Sequence, residues 1–263
     1  MFKRKRLIII VVILGILAAS LINFVRGKYV IPILMYHSIS PDAKEGESLA
    51  ITPEIFRKQM RFLQDRHYNI ITLEEAVDII KNKKRVPVRP IVITFDDGYK
   101  DNYNYAFPVL KEYNFPATLF IIINEVGRAQ ADRVSWDEIK TMQASGLVDI
   151  GSHTVNHSYL VDLSSQEEIV KEIRDSKKIL EDRLGCEIKS FSYPAGRFNE
   201  RIRRVVVETG YKFAVATNPG MKIPDDDIFA LKRLRISRNC ANMFVFWVET
   251  SGYYNFIREN RSK

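Results

Sequence analysis

Cysteine and histidine are scarce in this chain, with two cysteines (Cys186 and Cys240) and four histidines in 263 residues. Two cysteines without C-x-x-C spacing exclude a disulfide framework and a thiol redox motif, and leave their own pairing open. Tracts of proline, glycine or serine are lacking, as are acidic or basic blocks in the body. With 46% hydrophobic and 27% charged residues, this is a folded composition. No internal repeat or long linker divides it. The net charge is +8, but Lys3, Arg4, Lys5 and Arg6 supply four of those charges and the rest are dispersed. That distribution argues against nucleic acid as a partner and suits an anionic cell envelope.

Charge is missing altogether from residues 7–25, and 19 uncharged positions are just long enough to cross a hydrocarbon core of about 30 Å. Basic residues before this run outnumber Arg26 and Lys28 after it. The positive-inside bias therefore predicts a single-pass transmembrane helix with the domain outside the cytoplasm. A cleaved signal peptide is the competing reading, because Ala18-Ala19-Ser20 offers a small-residue processing site and would give a secreted domain. A buried helix of a soluble protein would keep a polar stripe, which this run lacks. The expected organisation is a basic tail and anchor (or signal peptide) over 1–28 and one large domain over 29–263.

In the body, short β-rich runs alternate with amphipathic segments of helical length, the pattern of parallel strands joined by crossover helices. Strands are predicted at 31–36, 91–95, 118–123, 148–151, 191–193, 213–216 and 231–236, which points to an α/β barrel of about seven strands. Thr52-Pro53 pairs an N-cap with a proline at the first helical position. Thr72-Leu-Glu-Glu75 and Ser135-Trp-Asp-Glu138 read as capping boxes. Ser164 or Ser165 opens the longest helix, which Gly185 should end.

Barrels of this kind gather catalytic groups at the C-terminal ends of their strands, and the chemically able residues fall there. Thr94-Phe-Asp96-Asp97-Gly98 sets two carboxylates side by side at a strand end. One suits a metal ion and the other a general base, although a solvated Asp-Asp-Gly turn has the same wording. His153-Thr-Val-Asn-His157 spaces two imidazoles so that one helical turn would aim both at a single ion; two hydrogen-bonded loop histidines are the alternative. His37, in Leu34-Met-Tyr-His37-Ser38, ends the first body strand and could protonate a leaving group, whereas His67 reads as a surface or capping residue. Trp136 fits either a sugar-binding groove or the core of a first helical turn.

Together, Thr94-Phe-Asp96-Asp97-Gly98 and His153-Thr-Val-Asn-His157 resemble the first two motifs of the polysaccharide deacetylases, the fourth carbohydrate esterase family. Ser135-Trp-Asp-Glu-Ile and Gly151-Ser-His-Thr are similar in wording and order. The resemblance implies a distorted (β/α) barrel in which Asp97, His153 and His157 bind a divalent metal and Asp96 is the catalytic base. Zinc suits those ligands first, with cobalt, nickel or iron also suited. Phe191-Ser-Tyr193-Pro194-Ala195-Gly196 occupies the third motif, where the Ala195 N–H would hold the oxyanion and Tyr193 and Pro194 would border the substrate. The family's arginine three positions before the proline is Phe191 here, so Arg235 or Arg238 is expected to orient Asp96 instead. Residues 231–238 contain no histidine to act as the acid. A branch acting on biofilm poly-N-acetylglucosamine takes its acid from a Met-Tyr-His-Ser-like motif, which Met35-Tyr-His37-Ser resembles, so His37 is implied as the acid.

The implied function is a hydrolase that removes N-acetyl groups from an extracellular N-acetylglucosamine polysaccharide and releases acetate. Peptidoglycan and chitin-like oligosaccharides are alternative substrates. A catalytically silent carbohydrate-binding member, or a partner of polysaccharide export or synthesis proteins, is the rival role. The expected partners are an amino-sugar polysaccharide and, through the N-terminal segment, the membrane.

Overall fold

A computed structural model describes residues 13–17, 19–20, 24, 29–43, 49–128, 132–217 and 226–254. Its strands in chain order are β1 Ile33–Tyr36, β2 Ser38–Ile39, β3 Ala50–Ile51, β4 Asn69–Ile70, β5 Pro90–Phe95, β6 Ala117–Ile121, β7 Val148–Ser152, β8 Ser190–Ser192, β9 Phe213–Thr217 and β10 Leu231–Arg235. Seven of them close a parallel barrel in the order β1-β10-β9-β8-β7-β6-β5, and β1 returns to β5 with Ile33 opposite Val92 and Tyr36 opposite Phe95. These are the seven predicted strands, with ends shifted by one or two residues. The two-residue strands β2 to β4 were not anticipated; β4 extends the sheet beside the start of β5, and β2 and β3 pair separately.

The helices are α1 Pro53–Asp65, α2 Leu73–Lys81, α3 Phe107–Tyr113, α4 Trp136–Ala144, α5 Gln166–Leu184, α6 Glu200–Glu208 and α7 Met243–Glu249. Thr52 caps α1. The capping boxes form at Thr72, Ser135 and Ser165, and Gly185 ends α5 at φ +68°. His67 is exposed and left-handed just after α1, as expected of a capping residue. Both cysteines are free.

β1, β5 and β6 are buried along their whole length, so their residues divide between two packed faces. One set, including Leu34, Ile93, Phe95 and Leu119, packs outward against the helices. The alternate set, including Ile33, Val92, Phe120, Val215 and Leu231, fills the barrel. Each large side chain so buried stabilises by about 1.5–3 kcal/mol. Gly151 is what lets Phe120 in, because a Cβ on Gly151 would stand 2.5 Å from the Phe120 ring and from Ser190 Oγ. Continuing the same alternation towards the C-terminal rim replaces apolar residues by Thr94 and Asp96, His153, Ser192, and Arg233 and Arg235. The barrel thus has a greasy interior and a polar mouth.

Among the described residues no helix is long and apolar enough to cross a membrane. Residues 13–17, 19, 20 and 24 of the predicted anchor are helical and exposed. The remainder, including Ala18 of the alternative processing site, lies outside the described residues.

Candidate active site

The chain leaves β5 through a tight reversal. Asp96 N–H still donates to Tyr36 O at 2.9 Å, continuing the ladder. Asp97 and Gly98 then both adopt left-handed conformations, φ +71° and +66°. Glycine does this freely and aspartate tolerates it. The turn sends the neighbouring carboxylates to different duties.

Asp96 points into the barrel and is 3% exposed. Arg233, 1% exposed on β10, grips it with both arms: Nη1 donates to Oδ1 at 2.7 Å and Nη2 to Oδ2 at 2.6 Å. The guanidinium also donates to Ser192 Oγ at 2.8 Å and to Thr94 Oγ1 at 3.2 Å, and lies 5.4 Å over the Phe120 ring. Burial alone would raise the Asp96 pKa. The Arg233 charge and hydrogen bonds, with His153 and His37, outweigh it and hold the group well below the ordinary carboxylate range. Asp96 is therefore a fixed, ionised acceptor.

Asp97 faces the histidines. Its Oδ1 lies 3.5 Å from His153 Nε2 and 3.6 Å from His157 Nε2, too far for hydrogen bonds, and that oxygen is buried without a partner. One ligand atom from each of the three residues lies within 4.8 Å of the others. Two donors held tetrahedrally at about 2.0–2.1 Å from one ion stand roughly 3.4 Å apart, so the set fits a metal, and an ion would satisfy the orphaned oxygen. The His153 tautomer suits this: Nδ1–H donates to Ser192 O at 2.8 Å, which leaves Nε2 free for a ligand. Burial pushes the His153 pKa down, against the pull of Asp96 and Asp97, and favours the neutral form that binds metal.

The two imidazoles do not share a helical turn as their spacing suggested. Residues 153–159 form an irregular loop with Thr154 at φ +69° and His157 at φ +59°. Glu172 of α5 builds the loop by accepting the N–H groups of Val155 and Asn156 at 3.0 and 2.9 Å and Asn156 Nδ2 at 2.6 Å. Thr154 Oγ1 accepts the His157 N–H at 3.0 Å. Those external acceptors replace helical bonding and bring the rings to 4.7 Å between centroids.

His37 enters from the end of β1 and lines the same cleft, of about 610 Å³. Burial lowers its pKa; Asp96 and Asp97 oppose that, and Arg233 and Arg235 add to it. Ala195 is exposed on the cleft wall at φ +52°. Gly196 beside it, at φ +68°, sits so close to Thr217 that a Cβ would fall 2.5 Å from the Thr217 backbone nitrogen. Pro194 is buried in the turn. Tyr193 borders the cleft but donates its hydroxyl to Phe229 O at 3.0 Å and stacks on Phe198.

Three expectations are corrected. Trp136 is half-buried at the first position of α4, packed on the core with Arg183 5.4 Å over its ring, and does not line the cleft. Arg235 lines the cleft and Arg238 reaches Ala43 O at 3.5 Å, yet neither holds Asp96. Arg233 does. It shares a strand face with Arg235 but sits two residues, about 6.6 Å, deeper. Phe191 packs in the outer core against Tyr193 and Tyr211, so the charge opposite the base comes from β10. Arg233 and Glu172 were missed; Arg233 alternates with Leu231 and Arg235 on the face of β10 that turns into the barrel, which was the signal for the first, and nothing local marked the second.

A barrel that gathers a fixed carboxylate, an imidazole and an Asp-His-His cluster around one mouth is the frame of a hydrolase. Comparison with known proteins agrees. The polysaccharide deacetylase family model matches residues 83–214, half of the chain. YxkH of Bacillus subtilis, a candidate polysaccharide deacetylase, is 38% identical over 207 residues, 79% of this chain and 71% of that protein. The poly-β-1,6-N-acetyl-D-glucosamine N-deacetylase of Staphylococcus epidermidis is 28% identical over 239 residues, 87% and 82% of the two chains. Among solved structures, the Streptococcus pyogenes deacetylase PplD in complex with acetate is 30% identical with a TM-score of 0.72, covering 80% of this chain and 93% of that one. IcaB from Ammonifex degensii is 25% identical with a TM-score of 0.73, covering 84% and 97%. This chain belongs to the polysaccharide deacetylase family. It is an enzyme of that class, a hydrolase of amide carbon–nitrogen bonds.

Proposed function

We propose that this chain removes N-acetyl groups from an N-acetylglucosamine polysaccharide outside the cytoplasm, with poly-β-1,6-N-acetylglucosamine as the preferred polymer. The observation that carries this reading is the convergence of Asp96, the Asp97-His153-His157 cluster and His37 on one cleft, the imidazole arriving from the first strand. The Staphylococcus epidermidis relative, named for that polymer, supports the choice.

A divalent ion held by Asp97, His153 and His157, zinc by donor chemistry with cobalt, nickel or iron also suited, would polarise the acetamide carbonyl and acidify the attacking water. Asp96, kept ionised and oriented by Arg233, takes a proton from the water as its oxygen attacks the carbonyl carbon. The Ala195 N–H on the cleft wall donates to the developing oxyanion. His37 gives a proton to the amine nitrogen as the C–N bond breaks, so one water and one amide yield acetate and a free amine. The uncharged run at 7–25 and its basic flank support a single-pass anchor, or a secreted domain if the run is cleaved. There the enzyme would meet polymer leaving export or synthesis proteins.

The test is acetate release by the full-length protein in detergent, loaded with zinc, cobalt or nickel, on poly-β-1,6-N-acetylglucosamine oligomers and on peptidoglycan. Asp96→Asn should keep its metal and lose turnover by at least about 100-fold, whereas His153→Ala should lose metal and activity together. Wild-type turnover in Asp96→Asn would remove the base assignment. Preference for peptidoglycan would change the polymer, and no release on either with full metal occupancy would leave a carbohydrate-binding role.

A further inference from the structure

Among the described residues the ring of His37 has no hydrogen-bonding partner to aim it. Its Nδ1 is buried and unpartnered, in contrast to His153, which Ser192 O fixes through Nδ1. A group that delivers a proton must be held close to its productive geometry. For His37 that constraint has to arrive through the backbone.

The backbone is gripped there. Asn102 Nδ2 donates to His37 O at 2.7 Å and to Asp101 Oδ1 at 3.0 Å. Ser38 Oγ donates to Asp101 Oδ2 at 2.5 Å. Asp101 and Asn102 are 5% and 3% exposed, at the start of a π-helical turn, Asn102–Ala106, a rare geometry that concentrates at functional sites. Asn102 Oδ1 is buried without a partner, so this amide serves through its donor alone, and packing by itself would favour an apolar residue of the same shape. The stretch 96–102 thus begins with the base and ends with the grip on the acid.

We propose that Asp101 and Asn102 are positioning residues for the leaving-group acid, clamping the His37 carbonyl and the Ser38 hydroxyl so that His37 Nε2 faces the departing nitrogen. This rests on His37 being the acid, and the test keeps the two claims apart. An acetamide needs a proton on its amine as the C–N bond breaks; an activated aryl acetate loses a stable phenolate and does not. Full-length wild type, His37→Ala, Asn102→Leu and Ser38→Ala would be assayed on N-acetylglucosamine oligomers and on para-nitrophenyl acetate, with metal content and thermal melting measured in parallel.

Asn102→Leu should lose about 10- to 100-fold in kcat on the oligomer with KM little changed, and under about 3-fold on the aryl acetate. Ser38→Ala should split the substrates the same way by a smaller factor, and decides the matter if Asn102→Leu does not fold. Equal losses on both substrates, or none, would overturn the clamp. If His37→Ala itself shows no split, the acid assignment falls. If His37→Ala splits and neither Asn102→Leu nor Ser38→Ala does, the clamp falls alone.

Discussion

Replacing Arg233 by methionine removes a guanidinium while nearly filling its space. Asp96 would be left buried and ionised with its two charged hydrogen bonds, at 2.7 and 2.6 Å, gone. Breaking a buried ion pair from one side costs about 3–5 kcal/mol. With a urea dependence of about 1–3 kcal/mol per molar, the unfolding midpoint should fall by at least about 1 M. The pH dependence follows from linkage. In the wild type the folded pKa of Asp96 is depressed, so the pair's stabilisation is complete above the unfolded value of about 3.9 and is lost as pH falls through the folded one. In Arg233→Met the opposing charge is gone and burial raises the folded pKa. The penalty is then full at neutral pH and is relieved as pH drops through the raised value. Urea unfolding at pH 7.5 and pH 5 in the presence of chelator, which removes metal-linked stability, should show a gap from wild type that narrows at the lower pH. Arg235→Met, on the same strand face but exposed, should stay within about 0.5 kcal/mol of wild type. If Arg233→Met costs no more than Arg235→Met, or the gap is the same at both pH values, the reasoning about the Asp96–Arg233 pair is wrong.

Glu172→Gln should weaken zinc binding by about 10- to 100-fold in a competitive chelator titration, because the carboxylate shapes the loop that presents His153 and His157; unchanged affinity would mean the loop holds itself. Trp136→Phe should leave kcat/KM on the oligomer within about 2-fold, since the indole packs on the core beneath Arg183, and a large rise in KM would return it to the substrate groove.

The seven barrel strands were legible because each is a short β-rich run bounded by turn or capping residues. The helix starts were legible because Thr72, Ser135 and Ser165 carry their own hydrogen-bonding instructions. Asp96, Asp97, His153 and His37 could be placed on the rim for the same local reason, since each follows such a run at once or after one residue, and His157 through its spacing from His153. The misplacements concern packing and loop geometry that local sequence does not encode, the helical turn expected of His153 and His157 among them. Arg235 and Arg233 share one face, and only the packing of Phe120 beneath the guanidinium and the position of Asp96 opposite decide which of the two reaches the base. Trp136 looks the same in sequence whether it faces a groove or the core.

The sequence by itself determined the order of the elements, the rim on which chemistry gathers and the kinds of donor placed there, because alternation, capping and turn chemistry act over a few residues. Only the tertiary structure decided that Arg233 holds the base, that Glu172 bends the histidine loop and that Asn102 grips the strand carrying His37. Those contacts join residues 137, 17 and 65 positions apart, and such distances close only when the barrel does.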